Sequence, residues 1–531
     1  MNALSNLLRL TRIRLNPNAH RFWAPRLRPA YRGWFHQLNR YFLGKYRCRE
    51  IRISPADERK LLAAFENGGP GMMLVCNHVG YVDAHVLCDW LFRRNRQMYW
   101  MAGVEPFERA WGAYAWHISS MGAFSIDRGR GDYRALKQAR DILAEGRHPL
   151  LIFPEGEADY AMDFIRPFYD GAALLALKTH DELTADQRAG ICIVPMALRY
   201  ALETADEQPT RLALRLMMAK AAALYRTLPP VLPVDEPLSA QLRSALATCV
   251  AWLTEDVQTD LLSRPAVAGS VLIDPQAGLA DRILQLADAM TLALSREYGQ
   301  PPVQLSALGY AEAMQVKNKL RSVIARQVLV PRLSDLTALR DTLPPLARTE
   351  KPSAWQRWWL GELELGIAGV KNTERDWPER VEAMTALLDE LTPLAARRAA
   401  QPETERAWRF DHLNRTRQIK HLLLLWEDVT HWREDLGWLD DVLTRLEIMM
   451  TGTFHYRGPK SATVLIGESL SVDAFNAGSG ERSLKKRCQL LTRRLHQTVT
   501  HLGGLTPVND RLIPQPQTEN GNADPTELTV Q

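Results

Sequence analysis

Short apolar runs alternate with longer amphipathic stretches in the first part of the chain. The runs cover residues 72–76, 124–126, 150–153 and 191–194, and their length and polar boundaries predict buried strands. Residues 132–147 predict a helix, because their apolar positions share one face, Gly146 suits the C-terminal cap and Pro149 lies just beyond. Strands alternating with helices from residue 51 to about 200 indicate an α/β layer structure.

The pattern becomes helical after about residue 205. Four prolines between residues 229 and 237 indicate a linker, and apolar residues then recur at helical spacing, for example over 279–294 and 439–450. Such spacing predicts helices that face a common core. A strand-like run returns at residues 462–467, and a last amphipathic helix follows it.

Cysteine usage and hydropathy limit where the protein can act. The six cysteines are scattered without a CxxC pair, so neither a zinc site nor a disulfide framework is indicated, and a reducing cytoplasmic compartment fits best. No apolar run approaches the roughly 18–20 residues of a membrane-spanning helix, and no secretory signal is present. We therefore expect a cytoplasmic protein without a transmembrane helix, lying peripherally on the inner face of the membrane.

The first 50 residues form a basic, aromatic arm. They carry ten Arg and one Lys against one acid, Glu50, and Phe, Trp and Tyr residues are interleaved. Cations suit anionic headgroups and rings suit the interface, so an anionic membrane surface is one interpretation. A solvated tail that touches nothing is an equally good one, and nucleic acid ranks behind both.

A polar or proline-marked cluster follows each predicted strand, and the first holds His78 and Asp83. Ligands bind beyond the carboxyl ends of strands in α/β sheets. An imidazole can take a proton from an attacking hydroxyl, and a carboxylate on its other nitrogen fixes the tautomer. The alternative is that Asp83 only caps the next helix, which leaves His78 an ordinary loop residue.

The other three clusters are ambiguous when each is taken alone. Arg128 follows the second strand and can grip a phosphate, or it is a surface arginine in a turn. Glu155 and Gly156 end the third strand as a carboxylate beside a turn, or as a capped turn and nothing more. Pro195 by itself indicates only that the last strand ends there.

Taken together, the four clusters resemble the glycerophospholipid acyltransferase family of the lysophosphatidic-acid type. Residues 77–83, 122–128, 153–156 and 194–197 match its four sequence blocks in order. The resemblance implies a mixed sheet flanked by helices, with a large all-α insertion or C-terminal helical region in this chain. It makes His78 the general base and Asp83 the residue that orients it.

The resemblance also implies the remaining site residues and the reaction. Arg128, Glu155, Gly156 and Arg166 become acceptor-binding groups, and Pro195 shapes the acyl-donor site. An acyl thioester, acyl-CoA or acyl carrier protein, is the co-substrate, and a lysolipid or glycerol phosphate is the acceptor. No further cofactor and no metal is expected.

The third block departs from the family pattern. The family continues it with a hydroxyl residue and a basic residue, whereas this chain has acids in the same stretch, namely Glu157, Asp159, Asp163 and Asp170. We therefore expect an acceptor with a cationic or zwitterionic headgroup rather than plain lysophosphatidic acid.

The late run at 462–467 resembles the closing strand of such a domain, which favours an insertion over a separate C-terminal domain. The predicted division is an arm at 1–50, an acyltransferase core at 51–235, a helical insertion at 236–455, a closing strand and helix at 456–505, and a disordered tail at 506–531. The competing function is a vestigial acyltransferase that serves as a scaffold or membrane-binding protein. Intact His78, Asp83, Arg128 and Glu155 argue against it.

Overall fold

The fold is known from a computed structural model of the 531-residue chain. The structure describes residues 22–28, 37, 39–41, 43–44, 48–67, 71–80, 82–103, 107, 113–126, 132–156, 158, 160, 162–184, 190–225, 227–259, 273–321, 323–324, 403–452 and 454–508. Arg128, Glu157 and Asp159, most of the predicted arm and nearly all of the predicted tail lie outside these residues.

One mixed sheet organises the first part of the chain. Its strands are β1 (Cys48–Ile53), β2 (Met72–Cys76), β3 (Tyr99–Gly103), β4 (Ala123–Ile126), β5 (Leu150–Ile152), β7 (Cys192–Leu202), β8 (Lys460–Ile466) and β9 (Leu470–Ser471). The order is β1-β8-β7-β2-β5-β3-β4, with β9 paired to β7. Strands β7, β2, β5, β3 and β4 run parallel, so their carboxyl ends share one edge, while β8 runs antiparallel to β7. Two short strands, β6 (Phe164–Ile165) and β10 (Thr506–Pro507), pair separately.

Helices cover both faces of this sheet. They are α1 (Pro55–Asn67), α2 (Asp83–Phe92), α3 (Ala113–Ser120), α4 (Tyr133–Glu145), α5 (Gly171–Glu182), α11 (Val472–Ser479) and α12 (Leu484–Gly503). Side chains of a strand point alternately to the two faces. In β2, Leu74 packs into the core beneath α2, and Met73 and Val75 pack into the opposite core with α4 and α5. The sheet is therefore buried on both sides, and the α/β prediction is confirmed.

A second, helical body follows β7. Its helices are α6 (Gln208–Leu224), α7 (Leu238–Val257), α8 (Leu279–Glu297), α9 (Glu403–Thr430) and α10 (Leu436–Thr451). The apolar positions at 279–294 and 439–450 do share one core, as their spacing predicts. Helix α10 contacts both the other helices and β7, so it joins the helical body to the sheet.

Strand β8 comes from the far side of this helical body. The chain leaves the sheet after β7 and returns at Lys460 to insert β8 between β1 and β7. Seven residue pairs, from Met196↔Ile466 to Leu202↔Lys460, join β8 to β7, and among the described strands β1 pairs with β8 alone. Residues 460–466 are therefore part of the sheet that carries the four sequence blocks.

Pro195 does not end its strand, contrary to the prediction. Strand β7 continues to Leu202. The Pro195 oxygen accepts the Gly467 N–H at 2.9 Å, and the N and O of one strand residue face the same side. The missing N–H of the proline therefore faces the point where the β7–β8 ladder ends, so no ladder bond is lost.

Part of the basic arm packs on the protein. Trp23 and Ser125 exchange hydrogen bonds along the β4 edge, where Trp23 N donates to Ser125 Oγ at 2.9 Å and Ser125 N donates to the Trp23 oxygen at 3.0 Å. The ring of Phe22 meets Phe124 edge-on, and Trp23 stacks on Phe107. These two rings cover a sheet edge and are not available to a lipid surface.

Membrane crossing can be judged from the helices that the structure describes. None of them is both long enough and apolar enough to span a bilayer.

Candidate active site

His78 and Asp83 meet at the carboxyl end of β2. Oδ2 of Asp83 lies 2.8 Å from Nδ1 of His78. A carboxylate only accepts, so Nδ1 carries the proton and Nε2 is left with its lone pair. Nε2 meets no partner among the described residues, and the His78 side chain is 16% exposed. The imidazole is therefore oriented through Nδ1 and accessible at Nε2, as a general base requires.

Asp83 is held by four donors although it is fully buried. Its Oδ2 also accepts the backbone N–H groups of Val79 at 2.7 Å and Gly80 at 2.9 Å, and its Oδ1 accepts the Tyr200 hydroxyl at 2.6 Å. Burial and the nearby Asp83 charge keep the pKa of Tyr200 well above its usual value, so the phenol remains a donor. These bonds satisfy the carboxylate without water.

The helix-cap interpretation of Asp83 does not describe these contacts. The N-cap of α2 is Val82, which makes no side-chain cap, and Asp83 is the first residue of the helix. Its carboxylate accepts from residues that precede the helix rather than from the amides of the first helical turn. Asp83 therefore shapes the His78 loop and fixes the imidazole.

Glu155 locks the same loop from the other side. Its Oε1 accepts the His78 N–H at 2.6 Å, and its Oε2 accepts the Arg166 N–H at 3.0 Å. The Arg166 guanidinium lies 3.6 Å from Oε2, and both side chains are buried. The two carboxylate oxygens thus bond to backbone amides and join the end of β5 to the His78 loop.

The amides around His78 are all committed. The N–H of His78 goes to Glu155, and those of Val79 and Gly80 go to Asp83. Backbone amides commonly stabilise the oxyanion in acyl transfer. These three cannot do so, and an oxyanion donor must come from another part of the site.

Asn77 fixes where β2 stops. Its Oδ1 accepts the Leu198 N–H at 2.7 Å and its Nδ2 donates to the Leu198 oxygen at 3.0 Å. The buried amide therefore replaces one backbone residue in the β2–β7 ladder. Because β7 also carries Tyr200, this bridge sets the distance between the Tyr200 hydroxyl and Asp83.

The remaining predicted site residues lie around this centre. Gly156 has a φ of +79°, which only glycine adopts without strain, and turns the chain after Glu155. Its open face lies against the ring of Tyr169. Pro195 lies opposite Val75 of β2 in the strand register. Arg128 falls outside the described residues, although β4, the strand before it, ends at the same edge of the sheet.

Two buried thiols lie near Asp83 and are held neutral. Burial, followed by the charges of Asp83 and Asp89, raises the pKa of Cys48 to about 12. Burial and the charges of Asp83 and Glu155 raise the pKa of Cys76 well above its usual value. A thiol rather than a thiolate is a poor nucleophile, so these cysteines pack and do not react.

A pocket opens beside the His78 loop and is walled partly by the helical body. Val79, Gly80 and Val82 line it from the loop, and Tyr200 lines it from β7. Its opposite wall comes from α10 and the segment leading to β8, through Asp440, Asp441, Thr444, Phe454, His455, Tyr456 and Lys460. No group of three or more His, Cys, Asp or Glu side chains suited to a metal ion occurs in the part of the chain that the structure describes.

The sequence comparison agrees with this arrangement. Residues 55–199 match the family model described as Acyltransferase. The match contains β2 to β5 and most of β7, with His78, Asp83 and Glu155. No curated protein matches the chain.

Proposed function

We propose that the protein, whose residues 55–199 match the Acyltransferase family model, moves a fatty acyl chain from a thioester donor to a hydroxyl of a lysophospholipid or glycerol-phosphate acceptor. The donor is acyl-CoA or acyl carrier protein. The observation that carries the proposal is the fixed imidazole of His78, whose Nδ1 is bonded to Asp83 and whose Nε2 is open.

The proposed reaction needs one base and no covalent enzyme intermediate. Nε2 of His78 takes the proton of the acceptor hydroxyl while the hydroxyl oxygen attacks the thioester carbonyl carbon. The C–O bond forms, the tetrahedral intermediate collapses and the C–S bond breaks. The leaving thiolate takes the proton back from Nε2, so the imidazole returns to its starting state. The Asp83 carboxylate stabilises the imidazolium between these two steps.

The direct test compares wild type with His78→Ala in acyl transfer to lyso-acceptors. A positioned general base contributes about 10²–10⁴-fold to the rate, so we expect a loss in that range. His78 is at a loop and partly exposed, so the variant should fold. Activity close to wild type would contradict the assignment of the base.

We also propose that the protein docks peripherally on an anionic membrane through α6 and the segment after it. Six aliphatic residues there are between 54 and 90% exposed, namely Leu212, Leu216, Leu224, Leu228, Val231 and Val234. Large aliphatic side chains exposed together along one short stretch of the chain are the kind of surface that binds a partner or a membrane. We call these six side chains the α6 apolar face.

The charge beside the α6 apolar face selects an anionic lipid surface as its partner. Arg215 and Lys220 are exposed on the same helix, and residues 208–234 contain four basic residues and no acid. Basic residues flanking an apolar helical stripe suit anionic headgroups. Thr210 in the first turn of α6 donates to Asp440, which lines the pocket, so this face begins beside the site.

Sedimentation with vesicles tests the membrane proposal. The double variant Leu212→Ser/Leu216→Ser should bind vesicles containing phosphatidylglycerol about tenfold more weakly than wild type. Leu490→Ser removes another exposed leucine, on α12, and should bind as wild type does. Equal binding by the double variant and wild type would rule this face out.

A catalytically inactive scaffold is the alternative function. It predicts vesicle binding without acyl transfer from any thioester donor. The rotationally fixed His78, the buried Asp83 with all four donors in place and the Tyr200 bond support the active enzyme, because a scaffold needs none of them.

A further inference from the structure

The pocket beside the His78 loop contains one carboxylate with an unused oxygen. Asp441 on α10 is 4% exposed, and its Oδ2 accepts the Met162 N–H at 2.9 Å. Its Oδ1 has no hydrogen-bond partner among the residues that the structure describes. Because Asp441 lines the pocket, a ligand or an ordered water in the pocket can complete this acceptor.

The neighbouring charges are already compensated. Arg457 donates to Asp440 at 2.6 Å and lies 3.0 Å from Glu447, and Lys460 lies 3.2 Å from Asp440. A further buried pair, Arg445 with Asp428, is complete in itself. These two cations, Arg457 and Lys460, are held by Asp440 and Glu447. Asp441 forms no ion pair among the described residues, so its open oxygen is the acceptor that the pocket offers.

Of the four acids that the sequence favoured, Glu157 and Asp159 lie outside the described residues, and Asp163 and Asp170 do not supply this acceptor. Asp163 lies 2.7 Å from both Arg199 and Arg433, which neutralise it. Asp170 is an exposed residue at the start of α5. Asp441, by contrast, belongs to the helical body and lies far from the four blocks in sequence.

We propose that Asp441 binds a primary ammonium group of the acyl acceptor, so that the helical body supplies the headgroup subsite of the acyltransferase. This proposal rests on the proposed function and deepens it. An ammonium places one positive charge and N–H donors opposite the open oxygen. Val79 and Gly80 line the same pocket, so the bound headgroup lies against the loop that carries the base.

The electrostatic surroundings of Asp441 favour the binding of a cation. Burial raises the pKa of Asp441 to about 7, while Lys460 and Arg445 lower it and Asp440 raises it. His455 also lines the pocket, and its ring pairs with Glu447. An arriving ammonium favours the ionised carboxylate, so acceptor binding drives off the proton that burial retains.

The first test compares two acceptors that differ only in the amine. Purified full-length protein is assayed with lysophosphatidylethanolamine and lysophosphatidylglycerol at matched acyl chains. We expect kcat/KM about tenfold higher for the amine acceptor, and Asp441→Asn should abolish that preference. Equal use of both acceptors by wild type, or a preference that survives in the variant, would overturn the proposal.

Two further variants separate a lost contact from a lost fold. The Asp441→Asn side chain still offers an oxygen to the Met162 N–H. Asp288→Asn is the matched control, because it alters another buried carboxyl of the helical body, one that lies outside the pocket. Lys460→Gln should change the preference in the opposite direction, since it removes a competing cation. A two- to fivefold gain in amine preference cannot arise from misfolding. If Lys460→Gln shows no gain, that result contradicts the proposal.

Binding without turnover distinguishes this proposal from the proposed function. Calorimetry with glycerophosphoethanolamine and glycerophosphoglycerol needs no acyl donor and no base. Tighter binding of the amine by wild type, lost in Asp441→Asn, supports the subsite even if no acyl transfer occurs with any acceptor. Equal binding of the two probes overturns the subsite even if His78-dependent transfer is intact.

Discussion

Replacing Asp83 by Asn separates the charge of this residue from its shape. An asparagine oxygen in the Oδ2 position still accepts from His78, Val79 and Gly80. The amide nitrogen then faces the Tyr200 oxygen, which can accept a hydrogen bond. The tautomer of His78 and the loop geometry survive, and only the negative charge behind the imidazole is lost.

The magnitude follows from the distance and the burial. Opposite unit charges about 4 Å apart at an effective dielectric constant of about 20 attract by about 4 kcal/mol. Nδ1 of His78 and Oδ2 of Asp83 are 2.8 Å apart, and the carboxylate is fully buried, so solvent screens little of the attraction. Each 1.4 kcal/mol is about a factor of ten in rate, so kcat should fall by about 10²–10³-fold.

Steady-state acyl transfer and chemical denaturation are measured on the same preparation. We expect a stability loss on the order of 1–2 kcal/mol, because weaker neutral hydrogen bonds are offset in part by relief from burying a charge. Asp89→Asn is the matched control, since Asp89 is equally buried on α2 and bonded to Asn39 and Arg93 instead. If Asp83→Asn keeps more than a tenth of kcat, or if both variants lose the same activity, the negative charge of Asp83 is not what accelerates the reaction.

Three smaller changes test the supports of the site. Tyr200→Phe leaves the buried Asp83 Oδ1 without its donor, and we expect about 1–3 kcal/mol less stability by denaturation and a modest fall in kcat; unchanged stability would contradict that bond. Asn77→Ala breaks both bonds to the Leu198 backbone and should cost about 2–5 kcal/mol by the same measurement, whereas a loss below 1 kcal/mol would show that water replaces the amide. Asp441 has a raised pKa of about 7, so the folded protein holds a proton that the unfolded chain releases above its ordinary 3.8. Wild type should therefore lose stability relative to Asp441→Asn as the pH rises from about 4 to 7, and a difference that does not change with pH would refute this.

Local sequence patterns predict the elements of the fold that depend on residues close together in the chain. The apolar runs at 72–76 and 150–153 give β2 and β5, and Gly146 caps α4 with a φ of +64° as its position predicts. Strands β1 and β3 were not predicted. Strand β1 lies at the sheet edge, so charged residues alternate along it, and an apolar run cannot mark such a strand.

The site was predictable only where its residues are close in sequence. His78 and Asp83 are five residues apart and share one loop, so spacing suggested the pair. Tyr200 lies 117 residues from Asp83 and Asp441 lies 279 residues from Met162, and nothing local signals either contact. For β7 a local signal exists, since the apolar character continues past Pro195 to Leu202, whereas the proline taken alone predicts the end of the strand.

The position of β8 has a consequence for how the chain is made. At about 5–20 residues per second, the roughly 260 residues between the end of β7 and Lys460 take roughly 15–50 s to synthesise. For that time the β7 edge that β8 later covers is open, and an unpaired apolar edge is a template for aggregation. A nascent chain of this length therefore depends on chaperones or on slow, late closure. An early stop between residues 203 and 459 yields a product with all four sequence blocks and without β8, so its sheet is incomplete.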